Sequence, residues 1–379
     1  LDRYLNKEIT LEELNAEYGE MARQNTDWFD ILFRNSFNHS HNLSLSGGSE
    51  TVQNRTSFGF SQENGEAKGN TMTQFTATSN TTVRLWDCVT VNMSLNGSIR
   101  NVKGFAYGVD PFSYAYETSR VIPAFTEDGS LYYHDKEGVT SSATGQSVYP
   151  YNVLNELGNT GSRNKTRVWG ATFDLQWEIL PGLEYQGLFS YTSSSSDTKS
   201  HATERSFYIT SLRGYEYGSI EANSIEAQST PLPMGGLLET EMSNVTTTVV
   251  RNSLVYDHLF KDKHRMTLQL GLETNSVETK GETNARYGYM PDRGETFAAP
   301  PASYLYNGET ETDNQAYAQG SHTVVNRVEN TLSGYGMAVY SYDERYVFNF
   351  SGRVDASNRF GQDKNKQFQP TWSAGFKWR

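Results

Sequence analysis

The chain has 379 residues, a formal charge of −12 and an apolar fraction of 36%. The acidic balance argues against a nucleic-acid binder, which needs a basic face to displace counterions from phosphate. Aromatics make up 13% and Cys88 is the single cysteine, which excludes a disordered tail, an intrachain disulfide framework and a Cys-rich zinc site.

The first 35 residues read as mostly helical and irregular. Leu11, Leu14, Tyr18 and Met21 keep helical spacing, and Thr10 with Glu13 three residues on forms a capping-box pattern. After Asp30 the texture changes to period-2 alternation. Val91, Met93 and Leu95 alternate with Asn92, Ser94 and Asn96. Phe173, Leu175 and Trp177 alternate with Asp174, Gln176 and Glu178. Leu268, Leu270 and Leu272 alternate with Gln269, Gly271 and Glu273, and Trp372, Ala374, Phe376 and Trp378 with Ser373, Gly375 and Lys377. Period 2 marks a strand with unlike faces. About eleven strands are expected, near 38–47, 51–61, 71–86, 88–103, 165–179, 183–195, 243–258, 263–278, 331–343, 345–357 and 367–379.

The connections alternate short and long. Tight turns near 87, 181, 261 and 344 are followed by long loops at 104–164, 196–242 and 279–330. Structureless loops of that length are uncommon in a compact soluble domain. Outer-membrane barrels have short periplasmic turns and long extracellular loops. Trp86, Trp177, Tyr185, Tyr256, Tyr342 and Tyr346 cluster beside the short turns, where an interfacial girdle would run. The expected fold is all-β: residues 36–379 form part of an antiparallel transmembrane β-barrel, preceded by a helical or irregular segment at 1–35. No stretch is apolar enough for a membrane helix. A soluble sandwich or solenoid with long strands is the alternative on pattern alone. Barrels of single bacterial chains have even strand numbers. The odd count and the start at Leu1, without initiator Met or signal peptide, lead us to expect a piece of a longer polypeptide.

Several stretches resemble the SusC/RagA family of TonB-dependent outer-membrane transporters from Bacteroidetes. Asn25-Thr26-Asp27-Trp28-Phe29-Asp30 with Phe33-Arg34 is similar to the family's segment between plug and early barrel strands. His41 to Glu50 is similar to its HNLSxSGGSE strand, and Tyr342-Asp343-Glu344-Arg345-Tyr346 to its YDDRY turn. Arg353 to Gly361 resembles its RxDxSSRFG strand end, with Ala356 where Gly is usual, and Pro370 to Trp378 its P-S-x-S-x-G-W strand. The long loops match nothing in the family's pattern. The resemblance implies a barrel of about 22 strands occluded by a plug. It implies import of oligosaccharides or peptides, a SusD-like surface lipoprotein as lid, and TonB pulling on the plug. No TonB box or plug is recognised in these residues, so coupling residues are not assigned.

Catalytic patterns are lacking. None of the seven histidines sits in an H-E-x-x-H or H-x-E motif, and no G-x-S-x-G elbow occurs. The protein is expected not to be an enzyme and to need no cofactor or metal. His39 and His41 share a strand face, which reads as a polar strand entering the barrel. Asp363-Lys364-Asn365 is acidic but lacks the EF-hand pattern. Cys88 reads as a small apolar residue beside a turn. Substrate contact is the best functional candidate, because aromatic faces with a few polar groups hold sugars or peptides. Tyr132, Tyr133, Tyr215, Tyr217, Tyr287 and Tyr289 are the loop residues singled out for it, ahead of Tyr151, Tyr304 and Tyr306. The competing reading is that these rings pack the loops together. A passive porin and a secreted β-rich adhesin or glycan-binding module are the rival functions.

Overall fold

The computed structural model describes residues 2–138, 148–221, 224, 225, 227, 230, 232–299, 320–361 and 368–378. Three short helices open the chain: α1 Asp2–Leu5, α2 Leu11–Met21 and α3 Trp28–Leu32. The capping box forms as the sequence requires. Glu13 donates its N–H to Thr10 Oγ1 at 3.2 Å, and Thr10 donates its N–H to Glu13 Oε2 at 2.8 Å.

Eleven long strands follow in one antiparallel meander. They are β1 His39–Gly48, β2 Val52–Asn64, β3 Thr71–Leu85, β4 Val89–Gly104, β7 Thr160–Leu180, β8 Leu183–Ala202, β9 Gly236–Phe260, β10 His264–Met290, β12 Ser321–Tyr342, β13 Tyr346–Ser357 and β14 Phe368–Trp378. Each hydrogen-bonds to the next long strand in the chain. A two-residue strand, β11 Thr296–Phe297, adds to β10, and β5 His134–Glu137 pairs with β6 Val148–Tyr151 in a separate hairpin. Three further helices lie in the connections: α4 Pro111–Glu117, α5 Val153–Asn159 and α6 Phe207–Arg213.

All the tight turns lie at one end of the sheet. In two of them, Lys261-Asp262 and Asp343-Glu344, both central residues have φ between 48° and 57°. That left-handed pair matches the right-handed twist of the strands it joins. The long connections, and α3 with its Asn25–Arg34 surroundings, lie at the opposite end. There Arg34 N–H donates to Glu66 O at 2.9 Å, and Thr26 N–H to Arg120 O at 2.8 Å. The segment that resembles a plug-to-barrel link is thus part of the long-loop end.

The register assigns the two faces. On one face the rows read Leu254–Leu270–Gly336–Gly352–Trp372 and Tyr256–Leu268–Ala338–Phe350–Ala374. Leu270 is 68% and Trp372 74% exposed. At the short-turn end this face closes on an aromatic row, Phe260–His264–Tyr342–Tyr346–Trp378. Its far limit is marked by Phe60, Phe75, Trp169 and Tyr191; Trp169 and Tyr191 lie 5.0 Å apart. Between the limits the apolar run covers Trp169 to Ile179 on β7 and His264 to Leu272 on β10, near the 9–11 residues of a tilted membrane strand.

The other face is polar and cross-linked. Arg251 and Arg353 both approach Glu273, at 2.6 and 3.6 Å, and Arg353 Nε donates to Asp355 at 2.8 Å. Thr82 and Asn92 hydrogen-bond at 2.8 Å, and Asn92 reaches Asp174 at 3.3 Å.

The sheet runs further than the alternation predicts. β8 continues to Ala202, β9 starts at Gly236, β10 continues to Met290 and β12 starts at Ser321. The expected loops at 104–164, 196–242 and 279–330 shrink accordingly. Beyond Phe189 and Leu272 both faces are rich in Ser, Thr and Asn, so the period-2 contrast fades. Cross-strand pairs persist without it, such as Asn164 Nδ2 to Thr198 Oγ1 at 2.8 Å.

Candidate functional site

The long-loop end carries its own small core. Trp28 and Leu32 of α3, Ala115 of α4, Ala124, Tyr149 and Tyr151 of β6, Val153 of α5 and Phe207 of α6 are buried together. Tyr151 meets Phe207 edge to face at 5.0 Å, and Trp28 meets Tyr114 at 4.9 Å. Each of these helices starts on a polar side chain that accepts a first-turn N–H: Asp27, Asp110, Asn152 and Ser206. Asn152 does more than cap. It is 1% exposed, and its Nδ2 donates to Ala124 O at 3.2 Å and Tyr132 O at 2.7 Å. One amide therefore ties the 124–132 stretch to α5 and sets the height of Tyr133.

Two buried ionic groups fix the remaining geometry. Glu156 is 2% exposed, and its Oε1 accepts from Phe207 N–H and Asn155 Nδ2, each at 2.8 Å. Burial raises its pKa against the pull of those bonds. Lys136 sets its ammonium 3.9 Å from the Tyr151 ring centre, and burial lowers its pKa. Arg213 is 2% exposed and donates to the carbonyls of Leu232, Glu204 and Gly235 at 3.1, 3.2 and 3.1 Å. It pins the return from α6 to β9. Gly235 there has φ +77°, and a Cβ would sit 2.4 Å from the Gly288 carbonyl carbon.

Over this core lies a cleft of about 270 Å³, lined by Tyr133, Pro150, Asn155, Arg205, Phe207, Thr210, Glu216 and Tyr217. Arg205 lies 5.1 Å from the Tyr217 ring centre. Burial, then the charges of Glu156 and Glu216, raises the Tyr133 pKa. Among the described residues neither the Arg205 guanidinium nor the Glu216 carboxylate enters an ion pair. The cleft thus offers aromatic walls and both signs of charge.

The tyrosines singled out from sequence divide. Tyr133 and Tyr217 meet in the cleft. Tyr132 is 37% exposed outside it. Tyr215 stacks over Arg213, 5.6 Å from its guanidinium carbon, and burial raises its pKa. Tyr287 and Tyr289 belong to β10; Tyr287 packs on the buried Ala202–Leu237 cluster, and Tyr289 is 2% exposed against Phe297. Tyr151 is in the loop core, and Tyr304 and Tyr306 lie outside the described residues, as does Asp363-Lys364-Asn365. His39 and His41 lie on the apolar face against Phe60, at ring distances of 5.7 and 6.5 Å, rather than on the polar one. Cys88 is exposed in the β3–β4 turn. Sequence reasoning passed over Asn155, Arg205, Phe207, Thr210 and Glu216. The available signal was the capping residues Asn152 and Ser206, each opening a seven-residue helix inside a loop.

Comparison with known proteins places the fold. No family model matches the chain. It is 22% identical over 363 residues to TonB-dependent receptor P3 of Formosa agariphila, covering 92% of this chain and 31% of that protein. It is 24% identical over 379 residues to TonB-dependent receptor SusC of Bacteroides thetaiotaomicron, covering 94% and 33%. A structure of the RagAB peptide transporter superposes with a TM-score of 0.66 at 17% identity, over 93% of this chain and 35% of that one. The chain therefore spans about a third of the length of the relatives it matches. The resemblance read from the motifs holds along nearly the whole chain. The sheet therefore has the fold of a flank of an outer-membrane β-barrel, in which the apolar face meets lipid and the polar face the lumen, and the chain is similar to TonB-dependent receptors.

Proposed function

We propose that this chain is the barrel flank of an importer that carries large nutrients across the outer membrane, energised through TonB and capped by a SusD-like lipoprotein. The observation that carries this is the lipid-banded eleven-strand wall combined with a built cleft among its extracellular loops. The wall supplies a polar lumen surface, and the cleft supplies a first contact for cargo at its mouth. Transport of this kind needs gating and binding but no covalent chemistry. The charges of Arg205 and Glu216, which enter no ion pair among the described residues, line the cleft with Tyr133 and Tyr217 and suit a zwitterionic cargo, which favours peptides over neutral oligosaccharides. The structurally similar RagAB complex is a peptide transporter, which agrees with that preference.

The test is uptake of a labelled oligopeptide by cells making the parent protein. Uptake should stop when the proton-motive force is collapsed and should fall on removal of the neighbouring lipoprotein. Uptake that continues unchanged without proton-motive force would indicate a passive porin. Recovery of the parent protein as a soluble monomer without detergent would indicate a secreted adhesin.

A further inference from the structure

The lipid-side face carries a row of like charges just beyond its apolar band. Register sets Lys103 of β4 directly opposite Arg163 of β7, and Arg163 directly opposite Lys199 of β8. Two rows nearer the membrane, Lys165 and then Arg167 occupy the same face of β7. The face is fixed by parity: β7 pairs without a break from Thr160 to Glu178, so Arg163, Lys165 and Arg167 share the side of Trp169, Phe173 and Trp177. Directly opposed cations on adjacent strands repel and destabilise a sheet. Three in one row, in a chain of net charge −12, form a frustrated feature that an anion would relieve.

The neighbouring carboxylates relieve it only in part, and the charge of Glu295 also acts on Arg163. Asp197 pairs with Arg167 at 2.5 Å, and Glu295 with Lys199 at 2.7 Å. Lys103, Arg163 and Lys165 are exposed and enter no ion pair among the described residues. The patch therefore has five cations against two carboxylates. Position says what meets it. At about 3.3 Å per residue, these cations lie on the order of 7–20 Å along β7 beyond Trp169. The strand tilt of a barrel brings that to roughly 5–15 Å above the aromatic limit, so Arg167 and Lys165 stand in the headgroup layer and the Lys103–Arg163–Lys199 row just above it, where the head of a large glycolipid extends.

We propose that Lys103, Arg163 and Lys165 form a binding site for the phosphate groups of an anionic outer-leaflet glycolipid. The patch continues the lipid-contacting face upward, so the acyl chains would lie on Trp169 and Phe173 while the phosphates meet the cations. This inference rests on the wall being embedded in the membrane. A parent protein that stays soluble without detergent refutes that reading, whereas a detergent-requiring barrel that retains no phosphorylated lipid refutes this inference alone.

The experiment uses the full-length parent protein in neutral detergent, titrated with lipid A (a bis-phosphorylated glycolipid), with its dephosphorylated form and with inorganic phosphate, and read by native mass spectrometry. The phosphorylated lipid should be retained, and the triple variant Lys103→Gln/Arg163→Gln/Lys165→Gln should bind it on the order of 100-fold more weakly, from the contribution expected per basic residue near an anionic surface. Equal binding of the dephosphorylated form, unchanged binding by the variant, or displacement by inorganic phosphate alone would each overturn the assignment. Should the triple variant not fold, Arg163→Gln alone should weaken binding about fivefold. Without lipid, Arg163→Gln should leave thermal stability unchanged or raise it, because it removes repulsion. A loss of stability there would mark Arg163 as structural and contradict the proposal.

Discussion

At the scale of single residues, the loop cluster depends on side chains that satisfy backbone groups. Glu156 is the clearest case, because its carboxylate accepts the Phe207 N–H while buried. Glu156→Ala leaves that N–H without a partner and should cost about 1–3 kcal/mol locally. Glu156→Gln keeps the acceptor without the charge and should cost little or stabilise. The sign of the pH dependence follows from the raised pKa. The folded cluster binds this proton more tightly than the unfolded chain does. Its stabilising effect is therefore full below the ordinary glutamate range and is lost as pH rises through the raised value. Limited proteolysis of the loops should be slower near pH 5 than near pH 8, and Glu156→Gln should flatten that difference. A steeper profile in the variant would show that another group controls it. The cleft offers a second test. Tyr217→Ala and Arg205→Gln should each weaken peptide binding about tenfold, in proportion to one aromatic contact or one charge-assisted hydrogen bond. Tyr132→Ala should leave binding unchanged, since Tyr132 lies outside the cleft. Equal loss in all three would place the peptide elsewhere.

At the scale of elements, the lipid band makes a depth-dependent prediction. Leu270 lies within the band on β10, and Glu278 lies on the same face beyond it. Leu270→Arg should destabilise the refolded barrel by about 2–4 kcal/mol, and Glu278→Arg by about 0–1 kcal/mol, when unfolding is followed by tryptophan fluorescence in lipid vesicles. Equal effects would mean that β10 does not cross hydrocarbon. The same band explains what the sequence reveals. Strands are legible where lipid and lumen impose opposite chemistry on alternate residues, as from Val89 to Ile99 or Leu268 to Leu272. Above the membrane water wets both faces, so Ser196–Ala202 and Thr279–Asn284 look like loop although they pair in register. The seven-residue helices α4, α5 and α6 are too short to show a clear period, and only their caps betray them. Tyr133 and Tyr217 were recognisable as loop aromatics. Their partners Arg205 and Glu216 were not, because a charge in a loop is ordinarily solvated and only the fold brings these two to one cleft. Tyr287 and Tyr289 were misplaced for the same reason as the strand ends: the alternation that would have put them on β10 is gone.

At the scale of the whole molecule, the sheet is polarised along its strands. One end has minimal turns and a row of aromatics; the other has α3 to α6, the loop core, the cleft and the cationic patch. Such an arrangement has a sense across a membrane, and in the proposed importer the end with the cleft faces outside. Cys88, the only cysteine of the chain, lies exposed in a tight turn. Tyr116 of α4 is 77% exposed at the opposite end. The most direct measurement is labelling of the parent protein, with any cysteines outside this chain replaced, on intact cells with a PEG-maleimide too large for porins. Cys88 should be unreactive until the outer membrane is permeabilised, and a Tyr116→Cys variant carrying Cys88→Ser should react at once. Immediate reaction of Cys88 on intact cells, or a protected residue 116, would contradict this orientation.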